Sequence, residues 1–181
     1  MAMLNLVQQY RTLIQSAVWQ DEALIAPLTP AEQEWLLCSD SLTAKLKAKC
    51  QQFEVELLSQ NWQQDLAKSE SAVLPADQSY LIREVFLHGD RQRWVFARTV
   101  IPQQLCRQFP QLMLLGAKPL GEFLFEQKLG RSGLQWSKSK NLSARRSLFY
   151  VQTGGETTIA KPSLGLLVTE LFLKDFGYLH E

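Results

Sequence analysis

The 181-residue chain is poor in the residues that build metal and disulfide chemistry. Its three cysteines, Cys38, Cys50 and Cys106, are odd in number and widely spaced, no CxxC pair occurs, and only His88 and His180 accompany them. That pattern speaks against a zinc or iron–sulfur site and for free thiols in a reducing cytoplasm. With no CxxC, no histidine cluster and no glycine-rich phosphate loop, no metal requirement is expected. An excess of either charge is missing too: 19 Lys and Arg against 18 Asp and Glu leave a formal charge of +1. No global field therefore recruits nucleic acid or an anionic membrane, and any anion must be caught locally. No apolar run approaches the ~20 residues that span a bilayer. The opening "MAMLNLVQQYRTLIQSAVWQ" has neither the basic start nor the long apolar stretch of a secretion signal. Repeats, low-complexity tracts and an evident linker are also absent, which predicts one domain over residues 1–181.

What the chain does have is apolar bulk, 46% hydrophobic residues and five tryptophans, enough for a real core. Leu6, Tyr10, Leu13, Ile14, Ala17 and Val18 recur at helical spacing, so residues 1–20 read as an amphipathic helix, either part of the domain or an appendage to it. "LTPAEQEWLL" contains a capping box, with Thr29 before the helix, Pro30 at its first position and Glu32 three residues after the cap. "CSDSLTAKLKAK" then restarts helical spacing after a polar break, predicting a helix–turn–helix whose second arm is capped by Asp40 or Ser41. "FEVELLS" alternates as a strand, and a polar, mobile stretch is expected from about Gln60 to Gln78. "YLIREVFLHG" and "RWVFARTVIP" flank "DRQ" as a hairpin. "QQLCRQFPQLMLLGAKPLGEFLFEQ" reads as helix in two pieces split at Gly116 to Pro119, and "RRSLFYVQTGGETTIAKPSLGLLVTELFL" as a hairpin with a Gly-Gly turn. Strands in hairpin order without βαβ alternation predict an α+β fold with a single antiparallel sheet.

Charges embedded in these strands are the informative feature. By alternation Arg83 shares a face with Leu81, Val85 and Leu87, and Glu84 points the other way. Arg98 shares a face with Trp94, Phe96 and Val100, and Glu170 with Leu164, Leu166, Val168 and Phe172. Arg83, Arg98 and Glu170 describe either a salt-bridged core or a lined cavity. A cavity with arginines suits a small carboxylate, because guanidinium grips carboxylate through two parallel hydrogen bonds. A glutamate there contacts a hydroxyl or handles a proton. At "DSLTAKL" and "AKPLGEFLF" the first-turn amides around Leu42 and Leu120 are further anion donors, although every helix has such an end. Arg145 and Arg146 in "SARRSLF" read as a brace at the mouth of the site or as a solvated edge, and Glu84 as structural.

"WLL" followed by "DSLT", then "YLIREVFL", "ARTVIP", "KPLGEFLF", "RRS" and "LLVTELFL" together resemble the chorismate–pyruvate lyase family over most of the chain. The resemblance implies one antiparallel sheet with helix–turn–helix flaps over an internal site. It also implies conversion of chorismate to 4-hydroxybenzoate and pyruvate at the head of ubiquinone biosynthesis, with no cofactor and no metal. It places ligand contacts on Leu42, Arg83, Leu120 and Glu170, with Arg83 and Glu170 the catalytic pair. Arg98 is left between binding the second substrate carboxylate and balancing buried acids. Leu42 stands where the family would have methionine, and Lys118 where a threonine would cap better. A cytoplasmic monomer without nucleic-acid partners is expected. The alternative is an effector-binding module like the sensor domains of bacterial transcription regulators.

Overall fold

The computed structural model describes residues 2–140, 142–152 and 164–179. Helix α1 (Ala2–Gln15) and the short strand β1 (Gln20–Asp21) lead into α2 (Pro30–Leu36) and α3 (Leu42–Lys47). Strand β2 (Phe53–Gln63) and helix α4 (Lys68–Ser71) precede the hairpin of β3 (Tyr80–Gly89) and β4 (Gln92–Pro102). Next come α5 (Gln103–Gln108), a 3-10 turn (Pro110–Leu114) and α6 (Leu120–Glu126). The chain continues through β5 (Gly130–Arg131), β6 (Gln135–Ser139), β7 (Leu142–Tyr150) and β8 (Gly165–Phe172). All eight strands join one antiparallel sheet in the order β1-β6-β7-β8-β4-β3-β2, with β5 also on β7. The α+β expectation holds.

Local chemistry sets the flanking helices. Thr29 and Glu32 form the reciprocal capping box, and Ser41, rather than Asp40, caps α3 by accepting from the Ala44 amide at 3.3 Å. The helical stretch after β4 breaks earlier than its composition suggests, at Phe109, because Pro110 cannot donate its amide to a continuing helix. The polar stretch from Gln60 to Gln78 is more ordered than expected. Strand β2 runs on to Gln63, and α4 buries Glu70 to meet Arg98. The Gly-Gly turn, Gly154 and Gly155, lies outside the described residues, as does His180.

One irregularity in the central hairpin decides which side chains share a face. Asp90 and Arg91 turn the chain with φ of 48° and 68°, the positive values that a two-residue hairpin turn requires. The pairing starts as Gly89 with Gln92 and His88 with Arg93, then slips by one residue so that Leu87 meets Val95 and Arg83 meets Thr99. Without this bulge Arg83 would stand opposite Arg98. With it, Arg98 stands opposite Glu84. Trp94, the extra residue, packs with Leu87 and Ala97 rather than with Phe96. Gly89 allows this, since a Cβ there would stand 2.1 Å from the Trp94 ring.

The face carrying Glu84 is covered by α1, whose Val7 and Ile14 pack against Phe86, Phe96 and Leu171. A polar row crosses the sheet beneath it: Ser59, Glu84, Arg98, Thr169, Arg146 and Gln135 are successive cross-strand partners. Arg98 donates to Glu84 at 2.8 Å and to Glu70 at 2.7 Å, and Arg11 of α1 adds its guanidinium to Glu84. Burial alone would raise the Glu84 carboxyl, but the hydrogen bonds and charges of Arg11 and Arg98 outweigh it and hold it below the ordinary carboxylate range. Its stabilising contribution is therefore complete above the unfolded carboxylate range and is lost as pH falls through the folded value. Glu84→Gln should cost about 3–5 kcal/mol at pH 7, the usual penalty for stranding buried charges, and should flatten the acid limb of the stability curve. Urea titrations of both proteins between pH 3 and pH 8 measure this, and an unchanged acid limb would mean that Glu84 is not the titrating group.

Candidate functional site

The opposite face of the sheet opens into a cavity of about 510 Å³, within the range of small-molecule sites. Its floor follows from strand register. Arg83, Thr99, Val168 and Ser147 form one cross-strand row, and Val85, Ala97, Glu170 and Arg145 form the next. Two apolar clusters close it off. Trp35 and Leu36 of α2 and Leu42 and Leu46 of α3 pack with Val85, Leu87 and Phe172 on one side. Leu105, Leu112 and Leu120 pack with Leu81, Ile101 and Leu166 on the other. The α2–α3 and α5–α6 segments thus cover the sheet as two flaps.

Arg83 is the least satisfied charge in this cavity. It is 2% exposed and donates Nη2 to the Gly116 and Lys118 carbonyls at 2.9 and 3.0 Å. Its Nε is buried without a hydrogen-bond partner, and no carboxylate lies within ion-pair distance among the described residues. Burial pulls the guanidinium down to about 10, which leaves it charged at neutral pH. A desolvated cation with open donors is poised for an anion.

Glu170 lies one row away and meets its direct cross-strand neighbour, with Arg145 Nε donating to its Oε2 at 2.6 Å. The other carboxylate oxygen has no protein donor among the described residues. Arg145 is 2% exposed and donates Nη1 to the carbonyls of Trp35 and Cys38, at 3.2 and 2.9 Å. One guanidinium thereby fixes both the glutamate and the end of the first flap helix. Arg131 stands beside this pair. It donates Nε and Nη2 to the Ser147 hydroxyl at 2.9 and 2.8 Å and Nη1 to the Ser39 carbonyl at 2.7 Å.

The two helix starts complete the lining. Ser41, Leu42 and Thr43 come from one flap, Pro119, Leu120 and Gly121 from the other. Pro119 provides no side-chain cap, so the first-turn amides of α6 keep their donors. The helix ends nearly touch, since a Cβ on Gly121 would stand 3.1 Å from Thr43 Oγ1. Leu42, Arg83, Leu120 and Glu170 all line the one cavity. Arg98 does not: the bulge at Trp94 turns it to the opposite face, where Glu70 and Glu84 bind it. Of the two readings left open for Arg98, the geometry fits the charge balancer of buried acids and not the binder of a second carboxylate. Arg145 and Arg146 are no solvated edge, because both are buried. Arg145 faces the cavity, whereas Arg146 sits on the far face against Trp19 and Gln135. Arg131 went unread because it lies in a two-residue strand between glycines, where sequence carries no alternation to follow.

Among the described residues no group of three His, Cys, Asp or Glu side chains converges to hold a metal. The buried Cys106 thiol is pushed up to about 11 by burial, so it is inert packing. No described helix is long and apolar enough to cross a membrane.

A sheet with two flaps over an internal cavity that carries unpaired guanidinium donors defines the class of fold, and a solved structure shares the architecture. The effector domain of PhnF from Mycobacterium smegmatis aligns over 75% of this chain and 89% of its own, with TM-score 0.53 and 14% identity, a likeness of fold alone. A family model described as chorismate lyase matches residues 13–178. This chain belongs to that family. It is 38% identical over 146 residues to the chorismate pyruvate-lyase of Pectobacterium carotovorum subsp. carotovorum, covering 78% of this chain and 76% of the relative. It is 33% identical over 176 residues to a probable chorismate pyruvate-lyase of Vibrio cholerae, covering 93% of each.

The double duty of Arg145 is testable. Arg145→Leu removes the partner of Glu170 and strands the Trp35 and Cys38 carbonyls, and should cost about 3 kcal/mol. Amide exchange should accelerate across residues 37–41 before the rest of the sheet opens. Uniform acceleration over the whole chain would show that Arg145 does not act on the flap.

Proposed function

We propose that this protein converts chorismate to 4-hydroxybenzoate and pyruvate, the first step of ubiquinone biosynthesis, as the family resemblance implies. The observation that carries the reading is the open guanidinium of Arg83, buried in an apolar cavity beside two helix starts. Chorismate has a ring carboxylate, an enolpyruvyl ether at C3 and a hydroxyl at C4. Arg83 and the amides of Leu42 and Leu120 hold the ring carboxylate, which the product keeps. Glu170, steadied by Arg145, meets the C4 hydroxyl through its open oxygen.

In the elimination the C4–H bond supplies the electron pair that aromatises the ring, and the C3–O bond breaks. The enolpyruvyl fragment leaves as enolpyruvate and takes up a proton at its methylene carbon to become pyruvate. Aromatisation drives the reaction, so the route needs no metal or organic cofactor. The protein contributes orientation, exclusion of water and electrostatic complementarity to the departing charge. Glu170 handles proton traffic at C4. A monomeric, cytoplasmic enzyme suits a site built wholly within one chain. A sensor module with the same fold would bind the ligand and leave it unchanged.

Incubation with chorismate while following 4-hydroxybenzoate absorbance separates these readings, and binding without product would overturn the lyase. Activity should survive exhaustive dialysis against a chelator, whereas loss that a divalent ion restores would contradict the cofactor-free route. Glu170→Gln should still bind 4-hydroxybenzoate yet turn over chorismate roughly 10²–10⁴-fold more slowly, the range of a lost acid or base. A destabilised variant with a normal single-turnover rate would reduce Glu170 to a structural partner of Arg145. Arg83→Ala should weaken 4-hydroxybenzoate binding by a few kcal/mol, with Arg83→Lys recovering part of it. Titration calorimetry showing unchanged affinity in a folded Arg83→Ala protein would take Arg83 out of the site.

A further inference from the structure

Arg131 is the second cavity guanidinium without a carboxylate partner. Its donors end on neutral oxygens, the Ser147 hydroxyl and the carbonyls of Ser39 and Cys38, and no carboxylate lies within ion-pair distance among the described residues. Burial and the neighbouring charge of Arg145 hold it below the ordinary guanidinium range, and only Glu170, Cys38 and Glu22 offset this from a distance. Arg145 is spent on Glu170. The two open cations stand on opposite walls. Arg83 is on β3 and Ser147, which anchors Arg131, is on β7 in the same cross-strand row. Three interstrand spacings of about 4.8 Å separate those strands, roughly 14 Å between backbones before either side chain reaches inward.

We propose that Arg131 binds the second carboxylate of a dianionic substrate, the one on the enolpyruvyl side chain, and so distinguishes substrate from product. The inference rests on the lyase reading and adds a specificity-determining residue to it. Geometry orders the ligand along the floor: ring carboxylate at Arg83, C4 hydroxyl at Glu170, and the C3 ether beside it, toward Arg131. Elimination cuts the second carboxylate away with pyruvate. The aromatic product then lacks the group that Arg131 holds, while its ring carboxylate stays on Arg83. Arg131 also ties the Ser39 carbonyl of the first flap to the sheet, so an incoming carboxylate competes for the donor that pins the flap.

The test compares Arg131→Gln and Arg131→Lys with wild type in three measurements: kcat and KM for chorismate, affinity for 4-hydroxybenzoate, and affinity for an unreactive aromatic dianion bearing a ring carboxylate and a carboxyvinyl ether. Arg131→Gln should lose roughly 30-fold or more in affinity for the dianion and in kcat/KM, mainly through KM, as expected for a lost buried charge partner. Its affinity for 4-hydroxybenzoate should change less than about 3-fold. Arg131→Lys, which keeps the charge without the fork, should recover part of the dianion affinity. Equal losses for dianion and monoanion, or no loss for either, would overturn the assignment and leave Arg131 as a flap tether. If wild type fails to convert chorismate, the lyase reading falls, while the dianion-to-monoanion ratio still decides the role of Arg131.

Discussion

A guanidinium taken out of water must be given acceptors, and this sheet buries arginines on both faces. The rows are offset by one residue: Glu84, Arg98 and Arg146 lie on the side of α1, Arg83, Arg145 and Glu170 on the side of the flaps. Side-chain alternation makes this arrangement automatic once register is set. Arg98 and Arg83 differ in how the charge is met, whereas Arg146 on the far side ends on neutral acceptors, Gln135 and the Ser69 carbonyl, and Arg145 on the near side has a carboxylate. On the far side Arg98 is gripped by two glutamates, one from the sheet and one from α4, and Arg11 completes the network. On the near side Arg83 has carbonyls but no carboxylate.

Arg98 is a paired charge that joins elements, and Arg83 is an open charge that faces the cavity. A saturated ion network orders the elements it joins, and here it joins α1 and α4 to the sheet. Leaving Arg83 open costs stability, a cost a folded protein tolerates when a ligand supplies the missing charge. Arg145 belongs partly to each class. It satisfies Glu170 and at the same time holds the carbonyls of Trp35 and Cys38, so the orientation of the glutamate and the position of the first flap depend on one side chain.

The flaps cover the cavity on the side of the sheet opposite α1. Both are short helical pairs with one apolar side, and both point a helix start at the cavity. Their lids rest on the same leucines and aromatics that form the core beside the sheet. Opening a flap therefore exposes apolar surface, which opposes it, while leaving the cross-strand pairing intact.

Much of this was legible in the chain. Alternation placed Arg83 and Glu170 on apolar strand faces, the capping box at Thr29 and Glu32 marked α2, and hairpin order gave the antiparallel sheet. Local physics suffices for these, because turn residues, caps and period-2 patterns act within a few residues. The face of Arg98 was not legible, since a one-residue bulge at Trp94 reverses it and no periodicity shows where an extra residue will be absorbed. Nor was the strand around Arg131, too short to alternate and ordered only by pairing with β7. Glu70 likewise hid in a polar stretch until its distance to Arg98 was known. The sequence by itself determined the capped helices, the long hairpin strands and the charges embedded in those strands. Tertiary structure alone decided which charges neutralise one another and which remain open to a ligand, because that depends on register and on contacts between residues far apart in the chain.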